Sequence, residues 1–421
     1  MIGMKLHWQV LIALGLAILA GSATQADTLL AGISPLALYD FLGSLFLNAL
    51  KMLIVPLIVA SIIAGLANNQ GTAGLGRLGG KTLAYYITTT TLAVLVGLMT
   101  MNIVQPGIVD GQPAKDSLGL AAETGAVMEK VAGRDSGDLV EIVLRMVPPN
   151  IVAAAADGQM LGLITFSLLF GYFITRLPAE LHQGQRTFWE GTAQVMLKIT
   201  ELVMKFAPIG VFGLVAKVVA TSGLEAFRPL AGFFFTVLAA LAIHMFVVLP
   251  LLLRLVGRVN PIRQFQAMSP ALLTAFSTAS SSATLPLTMD CVEKRAGVSE
   301  RTSSFVLPLG ATVNMDGTAL YECAAVLFIA QAYGMDLSFV QQLTVVILAL
   351  LTSIGVAGIP AASLVAITLI LGYFGLPAEA IGLILATDRV LDMARTSVNV
   401  FSDACGAVVI ARTEGESPLK D

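Results

Sequence analysis

Long apolar runs alternate with short polar ones along most of this chain, at about 8–23, 41–66, 82–105, 139–175, 191–221 and 229–257. Most meet or exceed the ~20 residues a helix needs to cross a hydrocarbon core. Two further helical stretches, about 300–332 and 379–411, carry polar residues inside them, and 264–289 and 337–378 hold no charged residue at all. Both of the latter are interrupted by small and polar runs, STASSSATLP and TSIGVAGIPAAS. Folded as a hairpin, 264–289 has arms of about 12 residues, roughly 18 Å of helix against a ~30 Å core. Such a hairpin enters and leaves by one side, and its irregular tip is tolerable only inside protein or beside a wet cavity. The pattern predicts an all-α membrane protein of eight transmembrane helices plus two re-entrant helical hairpins.

Composition strengthens this reading. With 421 residues, 56% of them hydrophobic, and only 12% charged, the chain has too little charge to coat a soluble globule. Its mean hydropathy is +0.85. A net charge of −3 without any basic run argues against nucleic-acid partners. Cys291, Cys323 and Cys405 lie in apolar segments without metal-ligand spacing, so disulfides and structural zinc are not expected. Lys and Arg collect in alternate loops, at Lys5, Arg77 and Lys81, Arg176 and Arg186, Arg254 to Arg263, and Arg412. By the positive-inside rule both termini are cytoplasmic, with the long Gly/Asp/Ala-rich loop at 106–138 on the far side. Lys5, an apolar run and GSATQA also resemble a signal peptide, although a retained first helix is the expectation.

The ionisable residues within apolar sequence carry the chemistry. At 100° per residue, Asp388, Asp392, Arg395, Thr396, Asn399 and Asp403 share one face of a helix. A charge at mid-membrane costs about 2.5 to 3.5 kcal/mol even on gentle scales, so this face needs a partner, a ligand or water. The Arg395 guanidinium suits a carboxylate and Asp392 a substrate ammonium, while an intrahelical Asp392–Arg395 pair is the plainer alternative. In NMDGT, Asn314 to Thr318, the residue types disfavour regular helix; freed carbonyls with Asn314 and Asp316 would suit an alkali cation, or the motif is a Gly kink with Asp316 paired to another helix. The Ser280–Ser282 tip offers amides and hydroxyls to a carboxylate, or is simply a serine turn. Tyr85, Tyr86 and Thr88 to Thr91 form a hydroxyl-rich patch that serves either helix packing or cation ligation. None of His7, His182 and His244 stands near the serine tip, which disfavours a Ser-His hydrolase, and no enzymatic activity is expected. Pro286 precedes Asp316 by 30 residues and Pro360 precedes Asp392 by 32, an internal repeat of broken segments that points to inverted repeats around a mid-membrane transport site.

On SSSATLP at Ser280, NMDGTALYE at Asn314, AGIP at Ala357 and DMARTSVNV with Asp403, the whole chain resembles the dicarboxylate/amino acid:cation symporter family, whose members transport glutamate and aspartate. The resemblance implies a homotrimer working by an elevator mechanism in the cell inner membrane. Its scaffold would comprise 1–75 and 139–225, and its transport domain 76–105 and 226–413, with hairpins at 261–293 and 337–376. Residues 106–138 would be an extracellular loop and 414–421 a cytoplasmic tail. Substrate contacts implied are Arg395 for the side-chain carboxylate, Asp392 for the amino group with Thr396 in support, and Asn399, Thr318, Ser281 and Ser282 for the main-chain carboxylate, with Ile359 at the second tip. Sodium is the implied co-transported ion. Its sites would be Asp403 with Gly310, Asn314 and Asn399; Tyr86, Thr89, Thr90, Asn314 and Asp316; and Thr312, Ser353, Ile354 and Val356.

Three departures stand out. The arginine that relatives place in the first tip or the eighth span is absent at Ala279 and Met393, with Arg389 about a turn away as a candidate substitute. A glycine of the second tip is Ser363. Glu322 matches relatives that also move a proton, which makes it the candidate for proton coupling and leaves potassium counter-transport open. The expectation is a sodium-coupled symporter of acidic amino acids; a symporter of C4-dicarboxylates or neutral amino acids, and more remotely an anion channel, remain as alternatives.

Overall fold

The computed structural model describes residues 6–24, 34–67, 75–114, 118, 144, 147–156, 160–222, 227–353, 362–377 and 380–419. Among these residues, apart from one two-stranded hairpin, the regular structure is helical: α1 Leu6–Ala23, α2 Pro35–Ala67, α3 Gly80–Val104, α4 Ile151–Ala156, α5 Met160–Ile174, α6 Ala179–Met204, α7 Ala207–Ser222 and α8 Phe227–Ile243. After α8 the helix continues through a wide turn at His244–Val248, the short α9 Leu249–Leu252 and a second wide turn at Leu253–Gly257. Then come α10 Pro261–Thr278, α11 Ser281–Asp290, α12 Glu300–Val313, α13 Asp316–Ala332, α14 Phe339–Ser353, α15 Ala362–Tyr373 and α16 Ile381–Thr413.

Among the described residues, three helical stretches are long and apolar enough to cross a membrane, Arg77–Val104, Arg228–Gly257 and Glu300–Ala332. A fourth counts if Ala179–Val203 and Ala207–Thr221, bent by 51° to each other, form one span. The sequence pattern reads 191–221 as one run. The two helices separate because Pro208 has no amide hydrogen and opens the new helix. Of the run expected at 139–175, the described helical parts are α4 and α5, and 157–159 lie outside the described residues.

Helices α1, α2, α5, α6 and α7 pack chiefly on one another. Of the rest, α3, α8, α14, α15 and α16 ring α13, α10 and α11 pack on each other and on α16, and α4 packs on α5. In the most apolar part of Glu300–Ala332, 94% of residues are buried, against 33% for Arg77–Val104, so the NMDGT segment lies at the centre of the protein. Outward-facing apolar side chains such as Ile103, Leu169, Phe173 and Phe235 are exposed, as a lipid-facing surface requires.

The first predicted hairpin is present. Asn260 caps α10 by accepting from Ile262 N at 3.0 Å; α10 ends at Ala279 in the left-handed region (φ 51°), and Ser280 Oγ caps α11 by accepting from Ala283 N at 3.2 Å. Both arms are longer than the about 12 residues that the pattern suggested: α10 has 18, and the 10 of α11 continue through a wide turn at Cys291–Arg295. At the second hairpin α14 and α15 pack together, while the segment 354–361 between them, with AGIP, lies outside the described residues.

Of the long loop after α3, β1 Ile108–Val109 pairs antiparallel with β2 Gln112–Pro113 across Asp110 and Gly111, both at positive φ. Arg228 donates to both Asp110 oxygens at 2.8 and 2.9 Å and ties this turn to α8. At the opposite end of α16, Lys81 pairs with Glu414, a hydrogen bond that holds this carboxyl below the usual range. Glu416 accepts from Ser299 N at 2.8 Å and from Thr302 Oγ1 at 2.6 Å, capping α12 with the chain's own tail.

Two backbone constraints act in opposite directions. A non-glycine residue at positive φ carries about 1 kcal/mol of strain, so Ala279→Gly should raise the melting temperature of detergent-solubilised protein. Gly317 has no room for a Cβ, which would lie 2.7 Å from the Arg395 carbonyl oxygen, so Gly317→Ala should lower it by the equivalent of about 1 to 3 kcal/mol.

Candidate functional site

The site grows from the break in the α12–α13 helix. Asn314 (φ −101°, ψ 85°) and Met315 (φ −115°, ψ 61°) leave helical geometry, as the NMDGT composition predicts, and Asp316 restarts the helix. The two side chains flanking the break are fully buried among polar groups from three other helices. Asp316 Oδ1 accepts from Thr90 Oγ1 at 2.7 Å, and Oδ2 accepts from Ser402 Oγ at 2.7 Å and meets His244 Nε2 at 2.9 Å. Asn314 Nδ2 donates to Asp403 Oδ1 at 2.9 Å and to Ser402 Oγ at 3.0 Å, while its Oδ1 receives Thr89 Oγ1 at 3.3 Å and Thr90 Oγ1 at 3.4 Å.

Next to this cluster, Tyr86 donates to the Val306 carbonyl at 2.7 Å. A Cβ on Gly310 would fall 2.5 Å from Asp403 Oδ1 and 2.6 Å from the Tyr86 hydroxyl, so only glycine lets the α12 backbone approach these oxygens. Tyr86, Thr89, Thr90, Gly310, Asn314, Asp316 and Asp403 are therefore brought together. Hydroxyl, amide and carboxylate oxygens of this kind are the donor set of a hard cation.

About two turns back along α16 the chemistry changes from oxygen-rich to cationic. Arg395, 1% exposed, donates through Nη2 to Asp392 Oδ1 at 2.8 Å and to Asp388 Oδ1 at 3.1 Å. Its guanidinium carbon lies 3.8 Å from the centroid of the Tyr321 ring. The intrahelical Asp392–Arg395 pair that the spacing left open is thus formed, and still Arg395 Nε and Nη1 have no hydrogen-bond acceptor among the described residues. Thr396 donates back to the Asp392 carbonyl at 2.8 Å. Asn399 links the two regions, accepting from Gly317 N at 2.8 Å and donating to Thr318 Oγ1 at 3.0 Å.

All six polar positions predicted on one face of α16, Asp388, Asp392, Arg395, Thr396, Asn399 and Asp403, are buried inside the protein. Glu322 is fully buried one turn beyond Thr318; Thr352 donates to its Oε2 at 2.7 Å, and Oε1 has no partner among the described residues. Ser281 is buried at the start of α11 and Ser282 exposed. The hairpin carrying them is fastened to α16 where Ser397 Oγ donates to the Leu272 carbonyl at 3.2 Å.

The sequence pattern that defines the sodium:dicarboxylate symporter family matches residues 6–413. The chain belongs to this family. It is 35% identical over 411 residues to a proton/sodium-glutamate symport protein of Bacillus caldotenax, covering 98% of this chain and 95% of that one. A proton/glutamate-aspartate symporter of Escherichia coli is 36% identical over 417 residues, with 97% and 93% covered. Excitatory amino acid transporter 3 of Homo sapiens is 36% identical over 424 residues, with 89% and 79% covered.

Other positions implied by the family resemblance are less tied to these clusters. Thr312 and Ser353 turn their hydroxyls onto their own helices, to Leu309 O and Leu350 O, each at 3.0 Å. Ile354, Val356 and Ile359 lie outside the described residues. The residue that sequence reasoning passed over is His244. In sequence it lies away from the serine tip, and in the fold it is fully buried against Asp316, 72 positions away. The available signal was its place alone in an apolar span, where an ionisable residue asks for a partner.

Replacing His244 by Phe leaves one Asp316 oxygen with a lost partner, and should lower stability by about 1 to 3 kcal/mol, read as a melting-temperature shift. His244→Gln, which keeps a donor, should lose clearly less.

Proposed function

We propose that this protein is a secondary active symporter of acidic amino acids, glutamate or aspartate, driven by sodium. The observation that carries this reading is Arg395, a fully buried guanidinium with two unsatisfied nitrogens beside Asp392. A permanent cation with open donors selects a carboxylate, and a neighbouring acid selects an ammonium. The names of the family relatives, glutamate and glutamate-aspartate symporters, support the same substrate class.

In this reading Arg395 takes the side-chain carboxylate, Asp392 the amino group with Thr396 in support, and Asn399, Thr318, Ser281, Ser282 and the Ile359 region the main-chain carboxylate. Sodium is cargo. Asp403 with Gly310, Asn314 and Asn399 would hold one ion, and Asp316 with Tyr86, Thr89, Thr90 and Asn314 another. Thr312, Ser353, Ile354 and Val356 would provide a third site through their carbonyls as the second hairpin closes. Glu322, buried one turn from Thr318, is the proposed proton carrier.

Helices α1, α2 and α4 to α7 would form the scaffold of a homotrimer in the inner membrane, with both chain termini cytoplasmic. The remainder, with its inverted hairpin repeats, would slide as an elevator, giving eight spans in all. Each net positive charge crossing 100 mV releases ~2.3 kcal/mol, and a tenfold ion gradient adds ~1.4 kcal/mol, so two or three cations suffice to concentrate an anion strongly.

A C4-dicarboxylate lacks an ammonium for Asp392, and a neutral amino acid leaves Arg395 short of its anion. Reconstituted in liposomes, the protein should accumulate labelled glutamate or aspartate against a gradient when sodium is imposed outside; simple equilibration would indicate a channel. Arg395→Cys should abolish high-affinity uptake of acidic amino acids, and retention of wild-type affinity would refute the assignment.

Uptake by Glu322→Gln should lose its pH dependence while remaining sodium-driven. A profile identical to wild type would remove Glu322 from proton coupling.

A further inference from the structure

Arg389 follows Asp388 on α16, and its side chain is 14% exposed. Its Nη1 stands 3.7 Å from Asp392 Oδ2, an ion-pair separation too long for a hydrogen bond. Both Nε and Nη1 of Arg389 are buried with no hydrogen-bond acceptor among the described residues. The same two atoms of Arg395 are in the same condition. Two guanidinium groups therefore face one carboxylate from its two sides, Arg395 at Oδ1 and Arg389 at Oδ2, with four of their nitrogens unfilled. Guanidinium does not deprotonate in proteins, so this deficit is relieved only by accepting oxygens, best of all anionic ones.

We propose that Arg389 is a specificity-determining residue that holds the substrate's side-chain carboxylate jointly with Arg395. The proposal rests on the reading of this site as one for acidic amino acids. A carboxylate offers about four lone-pair sites, enough for the four unfilled nitrogens. When the substrate ammonium engages Asp392, that aspartate shares its charge three ways, and the 3.7 Å contact of Arg389 is the weaker of its two guanidinium contacts. Arg389 is then the group free to turn to the incoming anion. Formal charges on Asp388, Arg389, Asp392 and Arg395 cancel, so without Arg389 this stretch is net negative and repels an acidic side chain. An amide side chain of the same shape gains nothing from the second guanidinium. The residue thus separates acidic from neutral substrates.

The test is competition against labelled aspartate uptake in proteoliposomes, with unlabelled aspartate and asparagine as paired inhibitors. Loss of a charge-assisted contact predicts that R389Q lowers the preference for aspartate over asparagine by at least about tenfold, mainly through weaker aspartate binding. A preference within about twofold of wild type overturns the proposal. R389K, which keeps the charge but not the planar fork, should fall between the two by about threefold. Should R389Q fail to fold, an unchanged preference in R389K overturns the proposal equally. A wild-type protein that accumulates neither aspartate nor glutamate would defeat the reading of the site itself, which these ratios keep separate from the role of Arg389.

Discussion

A carboxylate with no access to water holds the centre of this protein together. Asp316 is fully buried, and a buried charge is tolerable only when its oxygens are filled. Thr90 comes from α3, Ser402 from α16 and His244 from the wide turn after α8, so satisfying one side chain fixes three helices around the start of α13. Everything else in the site inherits its position from that knot. Gly317, the next residue, brings α13 against the backbone of Arg395, and this sets the distance between the oxygen-rich cluster and the guanidinium.

The wide turn at His244–Val248 belongs to the same constraint. Leu249 N bonds to His244 O, five residues back, where an ordinary helix reaches back four. An extra residue in the turn re-aims the side chains that follow and precede it. His244 thereby stays inside the bundle although the rest of its helix alternates between lipid and protein.

Much of this was readable from residue types. The break at Asn314 and Met315, the capped serine tip and the one-sided polarity of α16 follow from local chemistry, because Asn, Asp, Gly and Ser each carry their own backbone preference. Boundaries between apolar helices were harder. The α6–α7 bend and the length of the first hairpin's arms depend on packing, since hydropathy alone does not register where an apolar helix turns or stops. The partner of His244 was illegible for a related reason: it is 72 positions away, and nothing in the neighbourhood of His244 names Asp316. The self-pairing of Asp392 and Arg395 was visible as a spacing, whereas the nitrogens left over were visible only in three dimensions.

Asn399 has its carbonyl oxygen on Gly317 and its amide nitrogen on Thr318, with Arg395 one turn before it and Asp403 one turn after. A single side chain is therefore common property of the cationic pocket and the oxygen cage. On the proposed assignment, an occupant of one compartment would restrict the rotamers open to the other, and thermodynamic reciprocity would make the influence equal in both directions. Cooperativity between cargo and fuel would then need no long-range relay, only one amide that two neighbours must agree upon.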